Sequence, residues 1–253
     1  MLLETRGLTK QFGGLTAVSR FDLSVKEGEI VGLIGPNGAG KSTLFNLVTG
    51  VFPVTAGQVL YEGKNITGRK PHQVAALGIG RTFQLNPLFA DFTVIENVSA
   101  SFHLHPKSSL FDIYFNTRTY RKNEAYIGEQ TLAILTLVGL EHVKDELARN
   151  LPHGYQKMLG VARALATRPK LLLLDEPLGG MNPSEIDFTL NSIRKTRGQG
   201  VTFLIVEHNM QILDLCDRVV VISFGNKICE GTPREVREDK AVIQAYFGGD
   251  HAA

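Results

Sequence analysis

One glycine-rich stretch combines side chains that bind phosphate with the local structure that such a site requires. Gly35 and Gly40, followed by Lys41 and Ser42, fit the pattern Gly-x4-Gly-Lys-Ser/Thr. The apolar run 30–34 before it has the length of a buried strand, and the apolar spacing after it is typical of a helix. The sequence therefore predicts a strand, a phosphate-binding loop and a helix in direct succession.

Such a loop binds the phosphates of a nucleoside triphosphate. Successive backbone N–H groups and the positive end of the following helix form a nest for anions. Lys41 would supply a positive charge to the β- and γ-phosphates, and the Ser42 hydroxyl would reach Mg²⁺. A turn that only connects strand and helix is the alternative, which the agreement of motif and context disfavours. The predicted nucleotide-binding residues of this stretch are Gly35, Asn37, Gly38, Ala39, Gly40, Lys41, Ser42 and Thr43.

A second group of chemically active side chains follows a run of four leucines. Leu171–Leu174 leads directly into Asp175 and Glu176. In phosphate-loop enzymes an acidic residue at the end of a buried strand holds Mg²⁺. A second carboxylate beside it can polarise the attacking water as general base. We therefore predict Asp175 as a metal ligand and Glu176 as the general base, the alternative being two carboxylates that only end a strand.

The length allows one large α/β domain or one core with a subdomain, and the charged fraction is ordinary for a soluble protein. The chain has 253 residues, 43% of them hydrophobic, with a formal net charge of +2. No basic block resembles a nucleic-acid-binding arm, and no apolar run reaches membrane-spanning length. Glu4 and Arg6 interrupt the apolar start, so we expect no signal peptide. Cys216 and Cys229 lack metal-ligand spacing and are expected to be reduced core residues, with a disulfide as the alternative.

The first half of the chain predicts mainly strands. Residues 2–8 and 17–25 alternate apolar and polar side chains, which is typical of half-buried antiparallel strands. Between them, 10–14 is expected to form a turn. A strand that ends in a turn is predicted at 58–64, and a short helix at 71–77, with its proline in the first turn.

The second half predicts helices first and strands again later. Helical spacing over 87–151 indicates a mostly helical insertion. The continuous apolar runs at 170–175 and 201–206 suit buried strands of a parallel sheet. A β-hairpin is expected around Gly225–Asn226, and a last helix at 233–247.

With these motifs in place, the chain resembles the ATP-binding subunits of ABC transporters over essentially its whole length. Arg81–Gln84 resembles the Q-loop, and Leu151–Gln156 lies where the family has its Leu-Ser-Gly-Gly-Gln signature. Gly179–Pro183 occupies the D-loop position, and His208 that of the switch histidine. Phe12 matches the A-loop aromatic residue that stacks on adenine.

The resemblance implies roles for these positions. Gln84 would contact Mg²⁺ and the attacking water, and His208 would join Glu176 in catalysis. In this family two subunits enclose two ATP molecules, each phosphate loop facing the partner's signature. The fold implied is an α/β P-loop NTPase core of the ABC ATPase type, with an N-terminal antiparallel β subdomain and a helical insertion. We expect one ATP-binding domain, with its core at 1–86 and 152–253 and the insertion at 87–151.

The signature segment departs from the family pattern. Its predicted nucleotide contacts are Pro152, His153, Gly154 and Tyr155, but Pro152 stands where the family has a serine. Proline has neither a hydroxyl nor an N–H, although it is well suited to a first helical turn. Our hypothesis is that the helix dipole and the Gly154 amide sustain the contact with phosphate. Asn182 replaces the aspartate of many members.

Within the family, the chain most resembles importers of branched-chain and related hydrophobic amino acids. The segments that carry this likeness are Phe12–Leu15, Arg81–Gln84, Thr93–Val98 and Gly180–Pro183. A lipopolysaccharide-type exporter ATPase and a soluble ABC ATPase without a transporter are the alternatives. The aromatic and basic segment Phe111–Lys122 is either a docking site for the membrane subunit or a solvated loop.

The importer reading also implies cofactors, partners and a location. ATP and Mg²⁺ are the cofactors, and a second ABC ATPase is the partner in a homodimer or heterodimer. Transmembrane permease subunits are direct partners, a substrate-binding protein is an indirect one, and no nucleic acid is involved. The subunit would lie peripherally on the cytoplasmic side of the inner membrane.

Overall fold

A computed structural model describes residues 1–82, 87–102, 109–208 and 210–247. The chain forms two compact units. The first comprises Met1–Arg81, Lys170–Gly179 and the chain from Gly200 onward, and the second comprises Thr82–Pro169 and Gly180–Gln199. The second unit therefore extends beyond the helical insertion expected at 87–151, because it also contains the two long helices that follow that stretch.

The secondary structure of the described residues alternates between strands and helices. The strands are β1 (Leu3–Phe12), β2 (Leu15–Val25), β3 (Ile30–Ile34), β4 (Ala56–Tyr61), β5 (Lys64–Asn65), β6 (Ile79–Arg81), β7 (Leu171–Asp175), β8 (Thr202–Val206), β9 (Arg218–Ser223) and β10 (Asn226–Gly231). The α-helices are α1 (Lys41–Val48), α2 (Pro71–Ala76), α3 (Val94–Phe102), α4 (Leu110–Tyr114), α5 (Arg118–Val138), α6 (His153–Ala166), α7 (Pro183–Arg197), α8 (Pro233–Glu238) and α9 (Lys240–Phe247).

A six-stranded sheet forms the centre of the first unit. Its strand order is β10-β9-β3-β8-β7-β6, with parallel pairing from β9 to β6 and an antiparallel β10 at the edge. Every residue of β3, β7 and β8 is buried, as expected for strands covered on both faces. Because these three strands are adjacent and parallel, their carboxyl ends meet at one edge of the sheet.

A second, antiparallel sheet contains the N-terminal strands in the order β2-β1-β4-β5. The alternation predicted at 2–8 and 17–25 is present, and Leu3, Leu8, Val18 and Phe21 face a core that also contains α1. The connection is shorter than the turn expected at 10–14, because Lys10, Gln11 and Phe12 pair with β2 and leave only two glycines between the strands.

The second unit is helical. Helices α3, α5, α6 and α7 pack on one another, and their buried side chains include Val98, Leu135, Leu159 and Ile193. Among the described residues, no helix is both long and apolar enough to cross a bilayer.

The predicted last helix is divided in two. Asp239 adopts extended backbone angles after α8, and its Oδ1 accepts hydrogen bonds from the N–H groups of Ala241 and Val242 at 2.8 and 3.1 Å. An aspartate in this position caps a new helix, so the chain restarts as α9 instead of continuing α8. Both cysteines are free, with Cys216 buried and Cys229 only half-buried.

Candidate functional site

The phosphate loop lies between β3 and α1, as predicted. Gly40 precedes α1 with a φ of +108°, and a Cβ added there would lie 2.5 Å from the carbonyl oxygen of Ala17. Both the backbone angle and the close approach therefore require glycine. The helix begins at Lys41, so the N–H groups of its first turn face the loop, and Ser42 is exposed there.

The side chain of Lys41 forms hydrogen bonds with two carbonyl groups of the phosphate loop. Its Nζ donates hydrogen bonds to the oxygens of Gly35 and Pro36 at 2.6 and 2.9 Å. An ammonium group has three N–H donors, so one remains for a ligand. Burial lowers the pKa of Lys41, and the charges of Glu176, Asp175 and Glu207 oppose that effect. An anionic ligand beside Lys41 would further favour its charged form.

A cavity of about 480 Å³ opens over the phosphate loop. It brings together several predicted residues, namely Phe12, Asn37, Gly38, Ala39, Gly40, Lys41, Ser42, Thr43 and Glu176. The ring of Phe12 is 44% exposed and is held edge-on by Phe52, with ring centroids 5.4 Å apart. Lys10 Nζ lies 4.7 Å from the centroid of the same ring. The cavity thus combines a supported aromatic surface with phosphate-binding groups.

Sequence reasoning missed a second aromatic side chain in this cavity, Phe224. It is 89% exposed, with a left-handed φ of +45° in the β9–β10 turn. The next residue, Gly225, donates its N–H to the carbonyl oxygen of Ala39 at 2.8 Å, which ties this turn to the phosphate loop. The available signal was an aromatic residue beside a hairpin glycine, but only the tertiary fold places it at the cavity.

Asp175 forms an ion pair that its own motif does not predict. Its Oδ2 lies 3.0 Å from Nη2 of Arg81, and both side chains are almost completely buried. Arg81 Nη1 also donates to Oδ1 of Asn46 at 2.6 Å. Burial raises the pKa of Asp175, whereas the hydrogen bond and charge of Arg81 act in the opposite direction. Arg81 therefore orients the predicted metal ligand.

Glu176 and His208 face each other at the ends of β7 and β8. The distance from His208 Nδ1 to Glu176 Oε1 is 3.9 Å. Glu176 has a left-handed φ of +49°, and its N–H donates to the carbonyl oxygen of Val206 at 2.9 Å. The third predicted catalytic residue, Gln84, lies outside the described residues.

The signature segment lies in the second unit, at the start of α6. Pro152 is the residue before the helix and not part of its first turn, which corrects our expectation. The N–H of Gly154, which we expected to be available for phosphate, donates to Oε1 of Glu185 at 3.0 Å. Our hypothesis for this amide is therefore wrong in this structure, because a carboxylate already binds it.

Glu185 also accounts for the glycine at position 154. A Cβ added to Gly154 would lie 2.7 Å from Oε1 of Glu185. The other carboxylate oxygen of Glu185 accepts the N–H of Asn182 at 2.9 Å. Pro152 and His153 are exposed, whereas the ring of Tyr155 packs against Phe188 with centroids 5.4 Å apart. Tyr155 therefore has a packing role in addition to any contact with nucleotide.

We predict that Gly154→Ala lowers the free energy of unfolding by about 1–3 kcal/mol, because the new methyl group displaces the Glu185 carboxylate. Urea unfolding measures the change. In a double-mutant cycle, Gly154→Ala should cost less in the Glu185→Ala background, since Oε1 and Cδ of Glu185, the two atoms nearest the added Cβ, are then absent.

Gly128→Ala is the matched control for this variant. Gly128 is a helical glycine of α5 with no atom within 4 Å of an added Cβ, so alanine there should stabilise the protein by about 0.5–1 kcal/mol. Equal effects of the two substitutions would contradict a specific clash with Glu185.

Comparisons with known proteins agree with this geometry. The ABC transporter family profile matches residues 18–179, and the profile of the branched-chain amino acid ATP-binding cassette transporter family matches residues 226–252. The branched-chain amino acid transport ATP-binding protein BraF of Pseudomonas aeruginosa is 39% identical over 249 residues, covering 98% of both chains. LivG of Escherichia coli K12, described by the same function, is 38% identical with the same coverage.

A solved structure gives the same result for the fold. The chain is similar to the ADP conformation of MJ1267, an ATP-binding cassette of an ABC transporter, with a TM-score of 0.85 and 34% identity. The match covers 98% of each chain.

Proposed function

The chain belongs to the ABC transporter family and is one of its ATP-hydrolysing subunits, and from this premise we propose that it powers an importer of branched-chain or related hydrophobic amino acids. The likeness to BraF along nearly the whole chain carries the proposal.

The cavity over the phosphate loop would hold one ATP molecule. The adenine would stack on Phe12, and the phosphates would lie against the N–H groups of the loop and the remaining donor of Lys41. The hydroxyl of Ser42 and the carboxylate of Asp175 are oxygen ligands of the kind that Mg²⁺ prefers, and Gln84 would add another. Bound Mg²⁺ would neutralise charge that develops on the phosphates.

The hydrolytic step would use Glu176 and His208. The Glu176 carboxylate would accept a proton from the attacking water as the water oxygen forms its bond to the γ-phosphorus and the bond to the leaving ADP oxygen breaks. His208, 3.9 Å from that carboxylate, would stabilise the transferring phosphoryl group through hydrogen bonding.

A second ABC ATPase would complete the site with its signature segment. The start of α6 carries the positive end of the helix dipole, but the Gly154 N–H is bound to Glu185. The carboxylate also offsets part of that positive potential, so phosphate contact from this segment would be weaker than with a serine hydroxyl. We propose that the subunit dimerises around ATP with itself or with a sister ATPase. The affinity of this ATP-driven dimerisation would be lower than with a serine in the signature.

The subunit would act as a peripheral component of a transporter on the cytoplasmic side of the inner membrane. Transmembrane permease subunits would be its direct partners, and a substrate-binding protein an indirect one. The test measures the ATPase activity of this subunit in proteoliposomes, assembled with the permease subunits that neighbouring genes encode. Activity stimulated by a leucine-loaded binding protein supports amino acid import, and activity that responds only to a lipid-linked polysaccharide contradicts it.

We predict that Glu176→Gln lowers kcat for ATP by about 10²–10⁴-fold, because the amide cannot accept a proton from water. The affinity for ATP should stay within a factor of about three, and ATP-bound dimers should accumulate, as measured by size-exclusion chromatography. Lys41→Ala is the contrasting variant, since it should lose ATP binding itself. Full turnover by Glu176→Gln would rule out this residue as general base.

We predict that Phe12→Ala raises the Kd for ATP by about 5–150-fold, because base–aromatic stacking contributes about 1–3 kcal/mol per base. Inorganic tripolyphosphate has no base, so it should bind the wild-type protein and Phe12→Ala with the same affinity. Phe224→Ala tests the second aromatic residue of the cavity in the same assay. A parallel loss of tripolyphosphate binding would show that the phosphate loop, not stacking, had changed.

We predict that Pro152→Ser tightens ATP-driven dimerisation by up to about tenfold, since one new hydrogen bond contributes about 0.5–1.5 kcal/mol. Dimerisation is measured by analytical ultracentrifugation in the Glu176→Gln background. Pro233→Ser, at the start of α8, controls for loss of a proline at a helix start. Loss of dimerisation in Pro152→Ser would instead assign Pro152 a stabilising role.

A further inference from the structure

Glu207 follows β8 directly and belongs to none of the motifs recognised in the sequence. Its side chain is 0% exposed. A buried carboxylate is costly unless hydrogen bonds compensate for the lost water, so its partners indicate what it holds in place. We propose that Glu207 is a positioning residue that fixes the general base Glu176 and the histidine His208 relative to each other.

The first partner belongs to the segment that contains the general base. Oε1 of Glu207 accepts the N–H of Leu178 at 2.8 Å, in a buried hydrogen bond. Leu178 lies two residues after Glu176 and is itself buried. The carboxylate therefore fastens the chain just after Glu176 to the end of β8.

Glu176 needs this support because its backbone is strained. A left-handed φ of +49° costs a residue with a side chain about 1–3 kcal/mol, and the surrounding structure must hold it there. Val206 O binds the N–H of Glu176 on one side of the turn, and Glu207 binds the N–H of Leu178 on the other. If the second bond were lost, Glu176 could relax and move its carboxylate away from the attacking water.

The second partner is the histidine. Oε2 of Glu207 accepts the backbone N–H of His208 at 2.8 Å, and the same oxygen lies 3.6 Å from Nδ1 of that histidine. One buried carboxylate thus contacts both catalytic segments. A displacement of one segment is transmitted to the other.

A carboxylate can accept both N–H groups at once. Its two oxygens are acceptors, whereas a glutamine side chain has one oxygen and one NH₂ donor. In Glu207→Gln, either the Leu178 N–H or the His208 N–H would face a donor. An aspartate keeps the charge but is one methylene shorter, so it should reach the two N–H groups less well.

The charge of Glu207 is also part of the site's electrostatics. Together with Glu176 and Asp175, it favours the charged form of Lys41 against the effect of burial. This influence is the smallest of the three, so the main consequence of losing Glu207 should appear in turnover and not in phosphate binding.

The experiment compares Glu207→Gln with Asp217→Asn in steady-state ATPase assays and fluorescent-ATP titrations. Asp217 is a suitable control because its Oδ2 accepts the N–H of Ile30 at 2.8 Å, at the end of β3 opposite the phosphate loop. We expect Glu207→Gln to lower kcat by about 10–100-fold, with the Kd for ATP within about threefold of the wild type. Asp217→Asn should leave both quantities within about threefold.

A kinetic cycle distinguishes positioning from general damage to the fold. If Glu207 acts by positioning Glu176 and His208, the losses of turnover from Glu176→Gln and Glu207→Gln should combine less than additively in the double variant. Additive losses would overturn the proposal, as would wild-type kcat in Glu207→Gln. If Glu207→Gln unfolds at lower temperature than Asp217→Asn does, Glu207→Asp replaces it, and wild-type kcat in that variant would overturn the proposal.

The inference rests on the proposed roles of Glu176 and His208, and the two can fail separately. Full activity of Glu176→Gln would remove the general base from the mechanism whatever Glu207 does. Normal behaviour of Glu207→Gln beside an inactive Glu176→Gln would leave the general base in place and overturn only the positioning role.

Discussion

The arrangement of the site depends on the register of three parallel strands. Leu33 of β3 pairs with Val206 of β8, and Val206 in turn pairs with Asp175 of β7. Because paired residues lie side by side, the chain leaves the sheet at nearly the same level in all three strands. The phosphate loop, Glu207 and the carboxylates therefore emerge together, with β8 between the other two. A slip of one residue in any strand would separate them and turn its side chains to the opposite face.

This arrangement brings charged groups out of water, and neighbouring polar groups compensate for the loss of hydration. The pKa of Lys41 is lowered and that of Asp175 is raised, in both cases mainly by burial, which favours the neutral form of each group. Carbonyl oxygens hold Lys41, Arg81 holds Asp175, and backbone N–H groups hold Glu207. A polar site at the end of buried strands is thus pre-organised for charged ligands.

The parts of this site that the sequence predicts are those whose signal is local. The glycine spacing of the loop and the carboxylates after four leucines each indicate a function within a few residues. Arg81, Phe224 and Glu207 carry no such signal, since each meets its partner through pairing of distant strands. For the same reason the sequence does not predict the hydrogen bond of the Gly154 N–H, because its acceptor, Glu185, lies far away in the sequence.

Glu185 links the signature segment to the D-loop position. Asn182 caps α7, because its side-chain oxygen accepts the N–H of Glu185 at 3.0 Å. In turn, the carboxylate of Glu185 accepts the N–H of Asn182. The second oxygen of Glu185 binds the start of α6, so one carboxylate serves the N-termini of both helices. An aspartate at position 182 would place a second negative charge beside Glu185, whereas asparagine keeps the cap without repulsion. Pro152 has neither an N–H nor a hydroxyl group. The hydrogen bond between Gly154 and Glu185 therefore determines which N–H groups of the first turn of α6 remain for a phosphate.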